Sequence, residues 1–212
     1  KGGALRGGHR TLLKPRQKGG TAMTEAMLTP WGEALDREHP LPEYPRPQLR
    51  RNSYLNLNGI WEYAITKTAE KPAAMQGEIV VPFSPESLLS GCGFQLRSGE
   101  TLRYERTFTL PEGFRRDRVL LHFGAVDQCC RVLVNGQEAG RHEGGYLPFC
   151  LDVTALLNDG ENRLTAAVTD DAAGGVYGMG KQRYQRGGIW YTATSGIWQT
   201  VWLESVPENY VK

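Results

Sequence analysis

The residues best suited to specific binding lie between positions 170 and 196, in a stretch that mixes acidic, amide and aromatic side chains. Ionised carboxylates accept hydrogen bonds in pairs, amides both donate and accept them, and aromatic rings stack on apolar faces. These residue types predict recognition of a polar ligand. The candidate ligand-binding residues are Asp170, Asp171, Lys181, Gln182, Trp190 and Tyr191.

The two acidic candidates also have a structural explanation. Asp170 and Asp171 follow a predicted strand, Arg163–Thr169, and precede the pair Gly174-Gly175. Asp often begins a turn because its side chain can bond to backbone two residues further on. We expect Asp170 at the exposed end of its strand, either as a ligand contact or as a turn residue, with Asp171 as the neighbouring candidate.

The other four candidates have ordinary alternatives as well. Lys181 and Gln182 can line the edge of a pocket, or Lys181 can be a solvated charge. Trp190 and Tyr191 offer an aromatic platform, but aromatic residues at the start of a strand often fill the core. Both interpretations stay open for each pair.

Metal and disulfide chemistry are not predicted. The four histidines show no spacing typical of a metal site, and we expect no metal and no other cofactor. Cys129 and Cys130 are adjacent, so on a strand they point to opposite faces. Cys92 and Cys150 stand among apolar neighbours and are predicted to be buried. Unpaired cysteines favour a reducing, cytoplasmic location.

Charge is distributed unevenly along the 212 residues. Residues 1–22 hold six Lys or Arg and no acid, which leaves 19 basic and 23 acidic residues in the remainder. We interpret 1–22 as a basic, disordered leader before Met23, the alternative being an arm that binds nucleic acid or membrane. Neither partner is expected for the mildly acidic remainder. Residues 23–45 contain four prolines and should form an extended arm anchored by Trp31 and Tyr44.

The chain from Val119 to Thr154 reads as a series of short strands. An apolar run, Val119–Val126, is followed by a second, Cys130–Val134, which ends at Asn135-Gly136. That dipeptide tolerates the two positive φ angles of a type I′ turn, so it predicts a tight hairpin. After a Gly-Gly bend, Phe149–Val153 forms another short strand.

The rest of the chain continues the same pattern. Further strands are predicted at Gly59–Ile65, Glu78–Val81, Leu102–Leu110, Arg163–Thr169 and Ile197–Val206, the last apolar on both faces and therefore central. Helical patterns long enough for parallel crossovers are missing from the sequence. We predict an all-β fold, an antiparallel two-sheet jelly-roll sandwich.

Six blocks, in this order, carry a resemblance to a known family. They are RPQLRRNSYLNLNGIWEYAI, VPFSPESLLSG, LRYERTFTLP, FGAVDQCCRVLVNGQEAGRHEGGYLPFCLDVT, GENRLTAAVTDD with GKQ, and IWYTATSGIWQTVWLESVP. Together they resemble the N-terminal sugar-binding domain of family 2 glycoside hydrolases, which include β-galactosidases, β-glucuronidases and β-mannosidases. The resemblance extends from about Arg46 to Val206.

The resemblance implies a galactose-binding-like jelly roll over 46–206, with 207–212 beginning a linker to later domains. It also implies that both catalytic glutamates lie in a separate (β/α)₈ barrel. We therefore predict no catalytic residue among these 212 residues and no glycosidase activity from them alone. The expected partners are a β-glycoside and later domains of the same enzyme, and an oligomer is compatible with the resemblance.

Asp170 resembles the acid that reaches the substrate pocket in β-galactosidases. Glucuronidases place an acid shortly before the SGI-like turn, where this chain has Trp190-Tyr191. The resemblance thus slightly disfavours a glucuronide. Two arginines of related motifs are replaced by Met179 and Ala193, so charge-based roles do not transfer to those positions.

Two other functions fit the same pattern. A free-standing carbohydrate-binding module or lectin would share the fold, and a purely structural module would share it without touching sugar. Sequence beyond residue 212 would distinguish them, because an immunoglobulin-like sandwich and a barrel would follow only in an enzyme.

Overall fold

The computed structural model describes residues 27–68, 70–172, 174 and 176–212. The chain divides into two units, residues 1–33 and 34–212. In the first unit the described residues form a short helix, α1 (Pro30–Glu33). Trp31 on this helix is 82% exposed. The predicted leader, 1–22, lies outside the described residues.

The second unit is a sandwich of two antiparallel sheets. One sheet has six strands in the order β3-β2-β4-β10-β7-β8, and the other has four in the order β1-β14-β5-β9. The strands are β1 (Tyr54–Asn56), β2 (Gly59–Thr66), β3 (Gly77–Val81), β4 (Thr101–Thr109), β5 (Arg118–Phe123), β6 (Val126–Asp127), β7 (Cys129–Val134), β8 (Gln137–Glu143), β9 (Phe149–Asp152), β10 (Glu161–Thr169), β11 (Gln182–Arg183), β12 (Tyr191–Thr192), β13 (Gly196–Ile197) and β14 (Val201–Val206).

Shorter elements complete the described part of this unit. β6 pairs with β13 antiparallel, and β11 pairs with β12 parallel. Single 3₁₀ turns lie at Pro47–Leu49, Leu88–Ser90 and Thr154–Leu156. The all-β antiparallel sandwich predicted from the short alternating runs is confirmed. None of the described helices is long and apolar enough to cross a membrane.

The core lies between the two sheets. On β4 and β10 alternate side chains point inward, so Leu102, Tyr104, Leu164 and Val168 are all fully buried. Trp61 meets Tyr104 edge to face, with ring centroids 6.3 Å apart. A polar atom on such a ring needs a partner when buried, and the Trp61 indole N–H donates to a backbone carbonyl at 2.8 Å. The alternation of buried and exposed side chains thus determines which face of each strand points to the core and which points to solvent.

The predicted hairpin between β7 and β8 is confirmed. Asn135 and Gly136 have φ angles of 53° and 82°, as a type I′ turn requires. The Asn135 side chain donates to the Leu156 carbonyl and to Asn162 Oδ1, each at 2.8 Å. Its own Oδ1 accepts from the Arg163 N–H at 2.8 Å. The turn is therefore tied to the start of β10 as well as closed locally.

The predicted last strand is central but not continuous. β14 has all six residues buried and lies between β1 and β5. The preceding residues form β13, which pairs with β6 instead. The break between β13 and β14 lies opposite the break between β5 and β6. The hydrogen bond from Gly124 N–H to Thr200 O, at 2.9 Å, joins the two chains at this point. One predicted strand therefore contributes to two ladders.

The predicted burial of the cysteines is confirmed only in part. All four are free. Cys130 is buried and Cys129 half-buried, as opposite faces of β7 require. Cys92 is only half-buried, and the prediction that Cys150 is buried is wrong, since it is exposed. Cys150 lies on β9, an edge strand, and its Sγ atom is 3.8 Å from His122 Nε2 on the neighbouring strand β5.

Residues 34–46 lie along the four-stranded sheet without joining a ladder. The Asn58 side chain donates to the Pro40 carbonyl at 3.2 Å. Tyr44 donates a hydrogen bond from its hydroxyl to Glu204. Side-chain contacts, not strand pairing, hold this segment to the sheet.

Glu204 is the centre of a buried ionic cluster on β14. It is fully buried and is bound by Arg46, by Arg51 at 3.1 Å and by His122 at 3.1 Å. Burial alone would raise the pKa of this carboxyl, but hydrogen bonds from His122, Tyr44 and Arg46 outweigh it and lower the pKa to about 2. This carboxylate is ionised and fully paired.

Candidate functional site

Four acidic residues gather at one end of the sandwich, here called the acidic end: Glu86, Asp127, Asp170 and Asp171. Asp127 ends β6 and Asp170 follows β10. The two are neighbours because Thr169 pairs with Cys129, and Gln128 N–H bonds to Thr169 O at 3.4 Å. Antiparallel pairing of β7 with β10 therefore places both carboxyl groups at the same edge.

Asp170 is buried, with only 8% of its surface exposed, so the prediction of an exposed strand end is wrong. The chain after β10 folds back over this end, and the Tyr184 hydroxyl donates to Asp171 at 3.5 Å. Burial, followed by the charges of Asp127, Glu86 and Asp171, raises the pKa of Asp170 to about 7. Its carboxyl group can therefore change protonation near neutral pH.

Asp127 is buried beside Asp170, and burial raises its pKa to about 6. Gln182 hydrogen-bonds to this carboxylate. The Gln182 Oε1 atom accepts from the Thr194 N–H at 2.6 Å, so its NH₂ group is the end that faces Asp127. Gly145 lies so close that an added Cβ would come 2.3 Å from Asp127 Oδ1. Asp127 is thus confined from two sides.

Glu86 joins the loop after β3 to the segment before β13. Its carboxylate accepts from the Ser195 hydroxyl at 2.7 Å, from the Ser195 N–H at 3.1 Å and from the Leu96 N–H at 3.4 Å. Burial nevertheless raises the pKa of Glu86 above its usual value. These bonds fix Glu86 as a structural bridge whose charge still acts on Asp170.

The acidic end differs from the other buried carboxylates of the chain. Glu204 is paired with Arg46 and Arg51 and contacts His122, and Glu105 has Arg103 at 3.0 Å. Over the described ranges, no Lys, Arg or His makes an ion pair with Glu86, Asp127 or Asp170. Buried charges are normally paired, and groups with perturbed pKa values gather at functional sites. This end is therefore the strongest candidate for ligand binding.

The remaining predicted residues belong to the segment 181–191, which reaches this end through Gln182. Lys181 is exposed, and its carbonyl accepts from the Tyr191 N–H at 2.8 Å. Trp190 and Tyr191 are 39% and 68% exposed, so the alternative that they fill the core is wrong. The Arg183 guanidinium lies 4.5 Å above the Trp190 ring and occupies that face. Only Gln182 of this group contacts a buried carboxylate.

Sequence reasoning missed Asp127 and Glu86 as members of the site. Asp127 ends an apolar run, and Glu86 lies in a polar loop, where neither position stands out. Only the pairing of β6 with β13 and of β7 with β10 brings them beside Asp170. A polar residue directly after a buried strand was the one available signal.

Other ligand chemistry has less support. Within the described part of the chain, no group of three or more His, Cys, Asp or Glu is arranged to hold a metal ion. A cleft of about 280 Å³ lies over β2, β4 and β10, and one of about 540 Å³ lies near Arg51 and Tyr210. Neither is lined by a residue of the acidic end.

Comparison with known proteins agrees with this fold. Residues 94–207, more than half of the chain, match the family model "Glycosyl hydrolases family 2, sugar binding domain". The chain belongs to glycosyl hydrolase family 2, through its sugar binding domain.

Individual relatives show how much of such a protein this chain represents. It is 30% identical over 136 residues to a β-glucuronidase of Paenibacillus borealis, covering 60% of this chain and 22% of that protein. It is 29% identical to a β-galactosidase of Thermoanaerobacter pseudethanolicus, covering 51% of this chain and 14% of that protein. A solved β-glucuronidase structure from an uncultured Clostridium sp. has a TM-score of 0.57 at 29% identity, covering 77% of this chain and 31% of its own. The chain spans less than a third of each.

Proposed function

We propose that this chain is the non-catalytic sugar-binding domain of an enzyme that hydrolyses O-glycosidic bonds in β-glycosides. The observation that carries the proposal is Asp170, a buried carboxyl without a cationic partner among the described residues. In a family 2 sugar binding domain, adjacent hydroxyls of a sugar are the natural donors to such a group.

Asp170 is the proposed sugar contact, and Asp171 is its neighbour on the same loop. Gln182 acts mainly by holding Asp127, since its amide is already engaged by Thr194. Lys181, Trp190 and Tyr191 form an exposed rim. Because Arg183 covers a face of Trp190, Tyr191 is the better stacking platform.

Other domains of a longer protein are proposed to complete the pocket and to supply the catalytic carboxylates. The acidic end by itself lines neither of the two clefts described above. The named relatives are all several times longer than the matched segment. Among the described residues, no Lys, Arg or His pairs with Asp170 to balance a uronate, which supports a β-galactoside as substrate. The alternative is a β-glucuronide, because β-glucuronidases are among the named relatives.

The test is the substitution Asp170→Asn in the longer enzyme that contains this domain. Loss of one charge-assisted hydrogen bond costs about 1.5–3 kcal/mol, so kcat/KM should fall by about tenfold to a hundredfold. The matched control is Asp152→Asn. It removes an acidic side chain of β9 that is paired with Arg118. Unchanged kcat/KM for the Asp170 variant would reject the sugar contact.

A thermal measurement separates this role from a structural one. If Asp170 only began a turn, its replacement would lower the melting temperature and reduce activity in proportion. A large decrease in melting temperature at pH 5, with a matching loss of activity, would assign Asp170 to the fold.

We also propose a reducing, cytoplasmic location, supported by four free cysteines. Disulfides in the protein isolated from its native compartment, found by mass spectrometry without reductant, would contradict it.

A further inference from the structure

A cleft of about 540 Å³ lies at the opposite end of β5 from the acidic end. Three arginines line it, namely Arg50, Arg51 and Arg116, and no acidic residue does. Arg116 precedes β5, whereas Asp127 lies beyond the other end of that strand. The cleft is therefore a separate feature from the candidate sugar contact.

The positive charge of the cleft is not a consequence of overall composition. Residues 23–212 carry 19 basic and 23 acidic side chains, so a random surface patch would be neutral or slightly acidic. Arg51 is held by Glu204 and by the Val211 carbonyl. Arg50 and Arg116 make no side-chain ion pair with any described residue. Two guanidinium groups are therefore available to a ligand.

Uncharged groups of the cleft add a second kind of recognition. Gln48 and Asn52 also line it, and their side-chain amides make no hydrogen bond to the described residues. An amide can donate to one hydroxyl and accept from another, which suits a polyol. Leu49 and Pro207 supply apolar surface. The volume falls within the roughly 300–1,000 Å³ typical of small-molecule sites.

Arginine is the side chain best matched to a carboxylate, because its planar fork donates two parallel hydrogen bonds. We propose that the cleft of Gln48, Arg50, Arg51, Asn52 and Arg116 binds an acidic oligosaccharide through its carboxylate groups. That the ligand is a saccharide rests on the proposed function; that it is anionic rests on the arginines alone. Such a site would hold a charged polymer while a neutral sugar occupies the acidic end.

The test is an isothermal calorimetric titration of the 212-residue protein with digalacturonate at low ionic strength. We expect saturable binding that the double variant Arg50→Gln, Arg116→Gln weakens at least tenfold. The matched control is Arg131→Gln, Arg141→Gln, which removes two exposed arginines that pair with Glu138 on the β7–β8 hairpin. The control variant should bind within twofold of the wild type.

Three further titrations identify the ligand and the site. A neutral digalactoside should bind at least tenfold more weakly than digalacturonate, and equal binding would overturn the role of the arginines. Inorganic phosphate or a tetraglutamate peptide binding as tightly as digalacturonate would overturn the saccharide assignment. Loss of digalacturonate binding in Asp170→Asn would place the ligand at the acidic end and overturn the proposal. Its retention, with unchanged kcat/KM in that variant, would instead reject only the proposed sugar contact.

Discussion

Two buried carboxyl groups of this chain behave in opposite ways. Glu204 is surrounded by Arg46, Arg51 and His122 and keeps its charge, while Asp170 has acidic neighbours and tends to keep its proton. Similar burial therefore gives opposite pKa shifts, and the sign is set by the charge of the neighbours. A lowered pKa means that the ionised Glu204 stabilises the fold, and a raised pKa means that ionising Asp170 destabilises it.

Asp170→Asn should change how the stability of the protein depends on pH. The pKa of Asp170 rises from 3.8 to about 7 on folding, so the native state binds more protons and loses stability as pH increases from about 4 to 7. Asn cannot ionise, so the variant should melt at least about 4 °C above wild type at pH 8 and close to it at pH 4.

The control is Asp152→Asn. Burial alone would raise the pKa of Asp152, but Thr154 and Arg118 lower it, so this acid contributes stability at neutral pH. Its variant should not melt higher at pH 8. Melting curves from pH 4 to 9 measure both, and a flat wild-type profile would contradict the assignment.

Glu204→Gln should destabilise the protein. The change leaves Arg46 and Arg51 without their shared carboxylate, and breaking a buried pair in this way costs about 3 kcal/mol. The depressed pKa of Glu204 means that its stabilisation is present above about 4.5 and is lost as pH falls towards about 2.

Chemical denaturation at pH 7 and pH 3 tests this. The difference between wild type and variant should be large at pH 7 and smaller at pH 3. Glu138→Gln, at an exposed ion pair on β8, is the matched control and should unfold close to wild type. Equal midpoints for wild type and the Glu204 variant at pH 7 would show that the cluster contributes nothing.

At the scale of elements, the β7–β8 turn combines a local and a tertiary requirement. Asn135 needs a positive φ for the hairpin, and its side chain also ties the turn to Leu156 and to β10. Propensity for the turn explains only the first of these.

Replacing Asn135 by Ala should cost about 2–3 kcal/mol, because both the hydrogen bonds and the tolerance of positive φ are lost. Replacement by Gly keeps the backbone freedom and should cost about 1–2 kcal/mol. Urea denaturation of both variants measures the difference. An Ala variant no less stable than the Gly variant would show that the positive φ carries no cost here.

The elements also show what the sequence can predict. Period-2 alternation located β4, because one face of that strand must be buried, and the Asn135-Gly136 dipeptide located the β7–β8 hairpin. The apolar pattern of Ile197–Val206 did not reveal the break between β13 and β14, since both halves are apolar and only the bend after β5 separates them.

The site was predictable in part for the same reason. Asp170 follows a strand and matches a family motif, whereas Asp127 and Glu86 join it only through strand pairing. Asp127 and Glu86 could not be predicted as site residues because they are far from Asp170 along the chain, although their residue types suit the site.

At the scale of the whole molecule, the sandwich presents two ends with opposite electrostatics. Among the described residues, Glu86, Asp127 and Asp170 at the acidic end make no ion pair, whereas Arg50, Arg51 and Arg116 line the cleft at the opposite end of β5 and no acidic residue lines it. A domain of this kind can hold and orient a substrate, but a glycosidase also needs an acid and a nucleophile or base on either side of the scissile bond. The central claim is that this chain binds sugar and does not cleave it.

The most direct measurement is the hydrolysis of nitrophenyl β-galactoside, β-glucuronide and β-mannoside by the purified 212-residue chain. The expected result is no turnover above that of the double variant Asp127→Asn, Asp170→Asn, prepared in parallel to control for host enzymes. Turnover by the wild-type chain that survives further purification and disappears in the double variant would contradict the claim.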